Sequence, residues 1–398
     1  MKKILILGAS IWQLPAIKTA KKLGLEVIVA DMNPAAIGFK EEGIIPEIVS
    51  TIDTDKVLAV AKKHKINGIV TVASDMPMRT VATVCEEMGL VGITKQTAFN
   101  ATNKGAMRKC LADNKVPIPE FFEVETEEDY RRAIETIHSP KIIVKPVDNA
   151  GSRGVSLISD KDDLEEIRKA FEYARENSRN GNIMVEEYME GPEVSVETLA
   201  VNGECHVIQI TDKLTTGAPH FVEMGHNEPS MLPEVVKKQI EEITKAANKA
   251  VGIEFGPSHT ELKITPTGPK IVELGARLGG DFITTNLVPL STGVDMVECC
   301  IRIALGEVPD LEKKYNKGSA IRYMKTGVGI INDVKGVDDA YKVPGVTWVC
   351  MIHGIGEEAV EVKNSVERVG FVISQRETPQ EAIIACEEAL KRVSVIVE

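Results

Sequence analysis

No stretch of this sequence approaches the roughly 20 consecutive apolar residues that a membrane span requires, so no transmembrane helix is expected. A basic excess is missing too. Lys and Arg number 47 against 59 Asp and Glu, a formal charge of −12, which argues against a nucleic-acid surface. The seven cysteines lie at scattered positions, an odd number without paired spacing, and Cys299 and Cys300 are adjacent in a helix-like segment; reduced thiols in a cytoplasmic location fit that usage. Tandem repeats and low-complexity segments are absent. The N-terminus "MKKILILGAS" has two lysines before an apolar run, as a signal peptide would, but glycine, tryptophan, glutamine and proline soon interrupt it, and it reads as a first β-strand.

What is present is the composition of a globular protein, 43% hydrophobic and 27% charged, in a chain of 398 residues that is too long for one ordinary core. Its first ninety residues alternate apolar runs ("KILILGA", "EVIVADMNP", "INGIVTVASD") with helix-periodic stretches ("IKTAKKLG", "KVLAVAKKHK"), the βαβαβ order of a Rossmann-like parallel sheet. In the first turn Gly8 takes the first place of a dinucleotide fingerprint, but Ser10 and Gln13 stand where the second and third glycines belong. Asp31 ends the second strand where such folds hold a ribose; a turn aspartate is the plainer reading.

Beyond "GLVGIT" comes a helix holding "NKGAMRKCLADNK", then an extended "VPIPEFFEV" connection. "KIIVKPVDNAGSRGVSLIS" reads as two antiparallel strands joined by a glycine-rich turn, followed by a helix and another strand, a lid-like unit over about 141–196. The stretch "HTELKITPTGPKIVELGARLGGD" reads as a hairpin whose proline- and glycine-bearing turn could bring Glu261 and Glu273 to one face. Two converging carboxylates would repel unless a hard cation such as Mg2+ lay between them; solvated glutamates on an edge hairpin fit those residues equally well. Lys145 closes the strand "IIVKP" ahead of "GSRG", an ammonium facing a turn with free N–H groups, which suits phosphate.

Together with Lys104 upstream and "EEYMEG" downstream, these motifs resemble the ATP-grasp superfamily of carboxylate–amine and carboxylate–thiol ligases. Within it, "ILGASIWQLPAIKTAKKLG", "FVEMGHNEPS" and "ELGARLGGD" look most like the L-amino-acid ligase and carnosine-synthase-like branch. The resemblance covers essentially the whole chain. It implies an α/β and α+β multidomain protein with a Rossmann-like pre-ATP-grasp domain over 1–92, an ATP-grasp core with its lid over 93–310, and a C-terminal α+β domain over 311–398. Lys104 and Lys145 then meet ATP phosphates, and the loop with Gly151, Ser152, Gly154 and Val155 covers them. Glu186, Glu187, Tyr188 and Met189 carry the adenine, a glutamate oxygen reading its amino group, while Glu193 lies near the ribose. Glu261 and Glu273 bind Mg2+, or Mn2+ in its place, and Arg277 steadies the transferred phosphoryl group. On the substrate side Glu223 would bind an ammonium, His226 assist the amine, Gly279 and Gly280 hold a carboxylate beside Arg277, and Lys213 meet a phosphate or carboxylate or else stand in solvent. One departure stands out: Gly275 occupies the place where many members carry asparagine in the metal set.

The implied activity is formation of an amide from a small carboxylate and an amine, amino acids by this resemblance, through an acyl phosphate, giving ADP and phosphate. Neither nucleic acid nor membrane is an expected partner, and a homodimer is common among related enzymes. Three rivals remain: a bicarbonate-activating carboxylase or carbamoyl-phosphate-type synthetase, whose pocket needs no space for a side chain; an NAD-dependent dehydrogenase, disfavoured by the broken fingerprint; and a nucleotide-binding regulator.

Overall fold

The computed structural model describes residues 1–149, 153–218 and 220–398. Four parallel strands build the N-terminal sheet, in the spatial order Ile44–Ile48, Glu26–Asp31, Lys3–Leu7, Gly68–Thr71. The sequence reading found three of them. Ile44–Ile48 was missed because it is an edge strand interrupted by Pro46 and largely unburied, where a proline is tolerated and apolar runs are not demanded. The glycine-poor first turn is closed to a pyrophosphate by its own glutamine. A Cβ on Gly8 would lie 2.8 Å from the Gln13 side chain, which is buried, donates from Nε2 to the Val72 carbonyl at 2.6 Å and accepts from Ser10 Oγ at 2.7 Å. Asp31 accepts from the backbone N–H groups of Ala9 and Asn33, both at 2.8 Å, and so is a turn aspartate.

A second, antiparallel sheet runs Phe121–Val124, Ile183–Glu187, Ile142–Pro146, Ser156–Ile158. Helices Glu127–Thr136 and Leu164–Glu176 bury their apolar stripes against it, with Tyr130, Ile134 and Ala174 in a core of its own. This unit takes in Phe121–Val124, ahead of the expected start near 141, because that short strand pairs with Ile183–Glu187 and finds its hydrogen bonds nowhere else.

The third sheet has eight antiparallel strands, in the order Gly268–Gly275, Gly256–Thr265, Glu193–Val201, Glu204–Thr215, Glu223–Glu228, Gly318–Tyr323, Gly370–Arg376, Val346–Met351. The expected boundary at 310/311 divides the chain in sequence, yet the sheet runs straight across it: Gly225 pairs with Arg322 and His226 with Ile321. Helices Glu234–Val251 and Pro379–Arg392 pack against this sheet, and a small sheet of Gly329–Lys335, Glu358–Ala359 and Ser394–Val397 completes the C-terminal part. Among the described residues no helix is long and apolar enough to cross a membrane.

Candidate active site

Strand periodicity puts the chemistry on one face of the eight-stranded sheet. His259, Glu261 and Lys263 alternate with Thr260 and Leu262, both fully buried, and Glu193, Ser195 and Glu197 follow the same period in the neighbouring strand. Register then decides who meets whom. Glu261 stands directly opposite Glu273, so the hairpin does bring the two carboxylates to one face, and Glu193 stands opposite both Lys213 and Lys263. Lys213, only 2% exposed, lies 2.6 Å from Glu193, 3.0 Å from Glu261 and 3.4 Å from Glu223. Burial alone would lower its pKa, but the three carboxylates hold it well above the usual lysine range. It is therefore no solvated lysine: it is the buried counter-ion of an acidic ring and borders a cavity. His259, for which the sequence suggested no role, bridges Glu197 at 2.6 Å and Glu261 at 3.3 Å. Burial opposes its charge, but Glu197 and then Glu261 raise its pKa to about 9, so the ring is an imidazolium at neutral pH.

Lys145 and Glu186 face each other at 2.7 Å, and Arg108 donates to the same carboxylate from Nε at 2.7 Å and from Nη2 at 3.1 Å. Burial would raise the Glu186 pKa, yet Arg108 and then Lys145 bring it to about 2. Lys145 shifts the opposite way, below its usual range: burial weighs most, Glu186 offsets it only in part, and Arg108 and Lys104 add repulsion. The two directions agree with one geometry, a carboxylate ringed by cations beside a lysine crowded by them. Lys104 reaches Glu273 at 2.9 Å and the Asn149 carbonyl at 3.1 Å. Around Glu186 and Glu273, three cations thus meet two carboxylates, a local cationic cluster in a cavity whose wall also carries Glu187, Glu193, Glu223 and Glu261. Arg108 carried no sequence signal, since an arginine in the middle of a polar helix normally faces solvent. Glu187 is held by Lys270 at 2.6 Å and accepts from the Glu120 N–H at 2.9 Å. Both glutamates expected beside the adenine therefore commit their carboxylates to protein groups, which leaves the backbone of that segment, Tyr188 and Met189 to shape the wall.

A cavity of about 910 Å³ lies between the small sheet and the hairpin, and Lys104, Lys145, Val155, Glu186, Glu187, Tyr188, Met189, Glu193, Glu261 and Glu273 all line it. Gly151 and Ser152 lie outside the described residues. Gly154 is not in the wall: its φ is +79°, and a Cβ there would come within 2.7 Å of Asn177 and 2.9 Å of Pro146, so glycine is needed to pack the turn. A second, open cavity of about 1010 Å³ is lined by Lys213, Glu223, His226, Arg277 and Gly280, with Asp75, His259, Asp281 and Ser365 besides. Gly279 has a packing role here. A Cβ at that position would meet His259 Nδ1 at 2.7 Å and Glu197 Oε2 at 2.8 Å, so this glycine lets the buried Glu197–His259 pair approach the chain. Glu223, Glu261 and Glu273 belong to both cavities and form their common wall.

At the far side of the second cavity, His226 is 1% exposed and its Nε2 lies 3.3 Å from Asp281. It borders the cavity while almost wholly buried, with Nε2 turned to Asp281. Arg368 closes on the same carboxylate with two bonds of 2.6 and 2.7 Å and stacks on the Tyr323 ring at 3.8 Å. Burial would raise the Asp281 pKa, but Arg368 and His226 hold it far below the usual carboxylate range. Arg277 is gripped by Asp75 from the N-terminal domain, Nε to Oδ1 at 3.0 Å and Nη2 to Oδ2 at 2.9 Å. Asp75 had one available signal, its place just past the carboxyl end of a parallel strand, where open α/β sheets bind ligands. Arg368 had none.

No group of three or more His, Cys, Asp or Glu side chains is arranged to hold a metal among the described residues. Glu261 and Glu273, opposite each other across the hairpin and paired with Lys213 and Lys104, are the two carboxylates that could hold Mg2+, with phosphate oxygens and water completing its shell. The missing asparagine at 275 has a steric reason: a Cβ on Gly275 would lie 2.7 Å from Asp75 Oδ1.

Residues 137–286 match the ATP-grasp domain, and residues 322–398 match the L-amino acid ligase C-terminal domain 2. The alanine–anticapsin ligase of Bacillus subtilis (strain 168) is 30% identical over 65% of this chain, and the match spans 58% of that enzyme, less than two thirds of its length. The phosphoribosylamine–glycine ligase of Methanocaldococcus jannaschii is 27% identical over 98% of this chain and 94% of its own. The crystal structure of an L-amino acid ligase from Bacillus licheniformis shares the fold, with a TM-score of 0.85 at 24% identity over 100% of this chain and 99% of that one.

Proposed function

The chain belongs to the ATP-grasp superfamily of ligases, and from that premise we propose that it joins two amino-acid-sized substrates, a carboxylate and an amine, into an amide with cleavage of ATP to ADP and phosphate. The observation that carries this reading is the common wall of Glu223, Glu261 and Glu273. A nucleotide lying in the first cavity would extend its phosphates past Lys145 and Lys104 toward that wall, and a carboxylate in the second cavity would meet it from the other side beside Arg277.

The steps follow from what the side chains can do. Lys145, Lys104 and Arg277 neutralise the charge that grows on the phosphoryl oxygens as a substrate carboxylate oxygen forms a bond to the γ-phosphorus and the bond to ADP breaks. Glu261 and Glu273 would hold Mg2+ or Mn2+, which would supply further electrostatic stabilisation of those oxygens. An amine nitrogen then attacks the carbonyl carbon of the acyl phosphate, the carbon–oxygen bond to phosphate breaks, and the nitrogen loses a proton. Glu223, on the shared wall and partly exposed, is placed to hold the ammonium of a substrate. His226, which borders the same cavity and is paired to Asp281, would assist the incoming amine. Water must be kept out, because it would hydrolyse the acyl phosphate.

The second cavity carries both cations and carboxylates, which match the paired charges of an amino acid better than the single charge of bicarbonate and favour it over the carboxylase alternative. The plugged Gly8 turn removes the motive for a dehydrogenase. The test is phosphate release with ATP and Mg2+, screened across amino acids singly and in pairs and with bicarbonate. Release that depends on a pair, with an amide product by mass spectrometry, is the expected result; release that depends on bicarbonate alone would sink the reading. The homodimer that the resemblance implies is checked by sedimentation.

A further inference from the structure

We propose that Asp75 is a positioning residue of this reaction: the N-terminal domain uses it to hold one edge of the Arg277 guanidinium so that the other edge faces the pocket where carboxylate and phosphoryl group meet. The inference rests on the ligase reading above and adds to it a role for the N-terminal domain.

The pair is bidentate and joins residues far apart in sequence. Asp75 takes Nε and Nη2 of Arg277, while Nη1 keeps only a 3.3 Å bond to the Leu278 carbonyl. Both residues border the polar cavity, so the edge that Asp75 does not hold is the one available there. The backbone is shaped to deliver this carboxylate. Val72 forms an isolated parallel bridge with Leu278, the Ala73 N–H donates to the Leu278 carbonyl at 3.3 Å, and Ala73 has a φ of +57°, a left-handed conformation that costs a residue with a Cβ. On the opposite side Gly275 leaves the space that Asp75 Oδ1 fills, since a Cβ there would come within 2.7 Å of it. Strain on one side and a missing side chain on the other thus converge on one ion pair.

The physical need is clear. An arginine gives up rotamer freedom when it is ordered, and Glu261 and Glu273 lie nearby as competing partners. A rigid carboxylate on the Nε/Nη2 edge leaves the guanidinium already oriented before substrate arrives, so little ordering remains for the reacting complex. Burial would raise the Asp75 pKa, but Arg277 keeps it below the usual range, so the clamp is charged.

The test is a double-mutant cycle of Asp75→Ala and Arg277→Lys, the lysine keeping the charge but unable to accept a bidentate clamp, read by amino-acid-dependent phosphate release. In the parent background Asp75→Ala is expected to lower kcat by roughly 10- to 100-fold with KM for ATP within about threefold. In the Arg277→Lys background the same change should cost no more than about twofold. Gly275→Ala, which crowds Asp75 without deleting it, should reproduce the kcat loss and its dependence on Arg277; it also carries the test where Asp75→Ala does not fold. Equal fold-losses in both backgrounds would mean that Asp75 acts on substrate directly and would overturn the proposal, as would a normal kcat for Asp75→Ala. A parent protein that releases no phosphate with any amino-acid pair sinks the ligase reading and this role with it, whereas an active parent with multiplicative losses sinks this role alone.

Discussion

At the scale of single residues, the site is a set of charges whose partners decide their use. Glu273 is the sharpest case. Its carboxylate is one third exposed and pairs with Lys104 at 2.9 Å, a contact worth no more than about 1 kcal/mol to stability. If it holds Mg2+ opposite Glu261, Glu273→Gln should lower turnover roughly 100- to 1000-fold while the thermal midpoint moves little. Turnover at saturating Mg2+ beside that midpoint checks this, and a folded variant with near-normal turnover would remove Glu273 from the metal site. Glu186 makes the opposite prediction, one about stability. Its folded pKa of about 2 lies below the ordinary 4.5, so its stabilisation is fully present above about pH 4.5 and is lost as pH falls toward 2. The shift corresponds to about 3 kcal/mol. Denaturant titrations at a series of pH values should therefore show the difference between the parent and Glu186→Gln shrinking over that window; a constant difference would mean that the carboxylate does not titrate as its partners dictate.

At the scale of the element, the active face is a consequence of period and register. The hairpin was legible because its turn residues are unmistakable and its strands alternate, and the same alternation places His259 beside Glu261. Register across to the strand Glu193–Val201 was not legible, because those strands are far apart in the chain and any even shift keeps the same faces in and out. That register pairs His259 with Glu197 and places Gly279 against both. Gly279→Ala should therefore destabilise the protein by about 1–3 kcal/mol, since the contact is with a pinned, buried ion pair that has no room to yield. The unfolding midpoint measures it. A silent substitution would show that the pair can shift and would reopen a substrate-facing role for this glycine.

At the scale of the whole molecule, the eight-stranded sheet makes the C-terminal segment part of the core. Strand Gly318–Tyr323 covers the edge of Glu223–Glu228, and Arg368 reaches back to lock Asp281. A chain ending at residue 317 would expose that edge together with His226, Asn227 and Glu228, all buried in the intact protein. Such a fragment should fail to fold as a soluble nucleotide-binding unit, and the full chain should unfold the core and the C-terminal strands in one transition. Fluorescence of Trp348, which lies in the C-terminal part, compared with far-ultraviolet circular dichroism tests the second point. Non-coincident transitions would show that the two parts fold separately.

The sequence by itself determined what depends on local pattern: the parallel N-terminal sheet, the two small strands on either side of the glycine-rich turn, the glutamate hairpin, and Lys104 and Lys145 in the wall of one cavity. Those features rest on alternation, helical period and turn chemistry, each readable within a window of a few residues. Only the tertiary structure decided which charges neutralise which. Lys213 became the counter-ion of three carboxylates, Arg108 and Arg368 entered from a helix and a loop with no motif, and Asp75 crossed 202 positions to meet Arg277. An ion pair's partner is set by distance in the fold and by burial that raises the need for one, and neither quantity is a property of any stretch of chain taken alone.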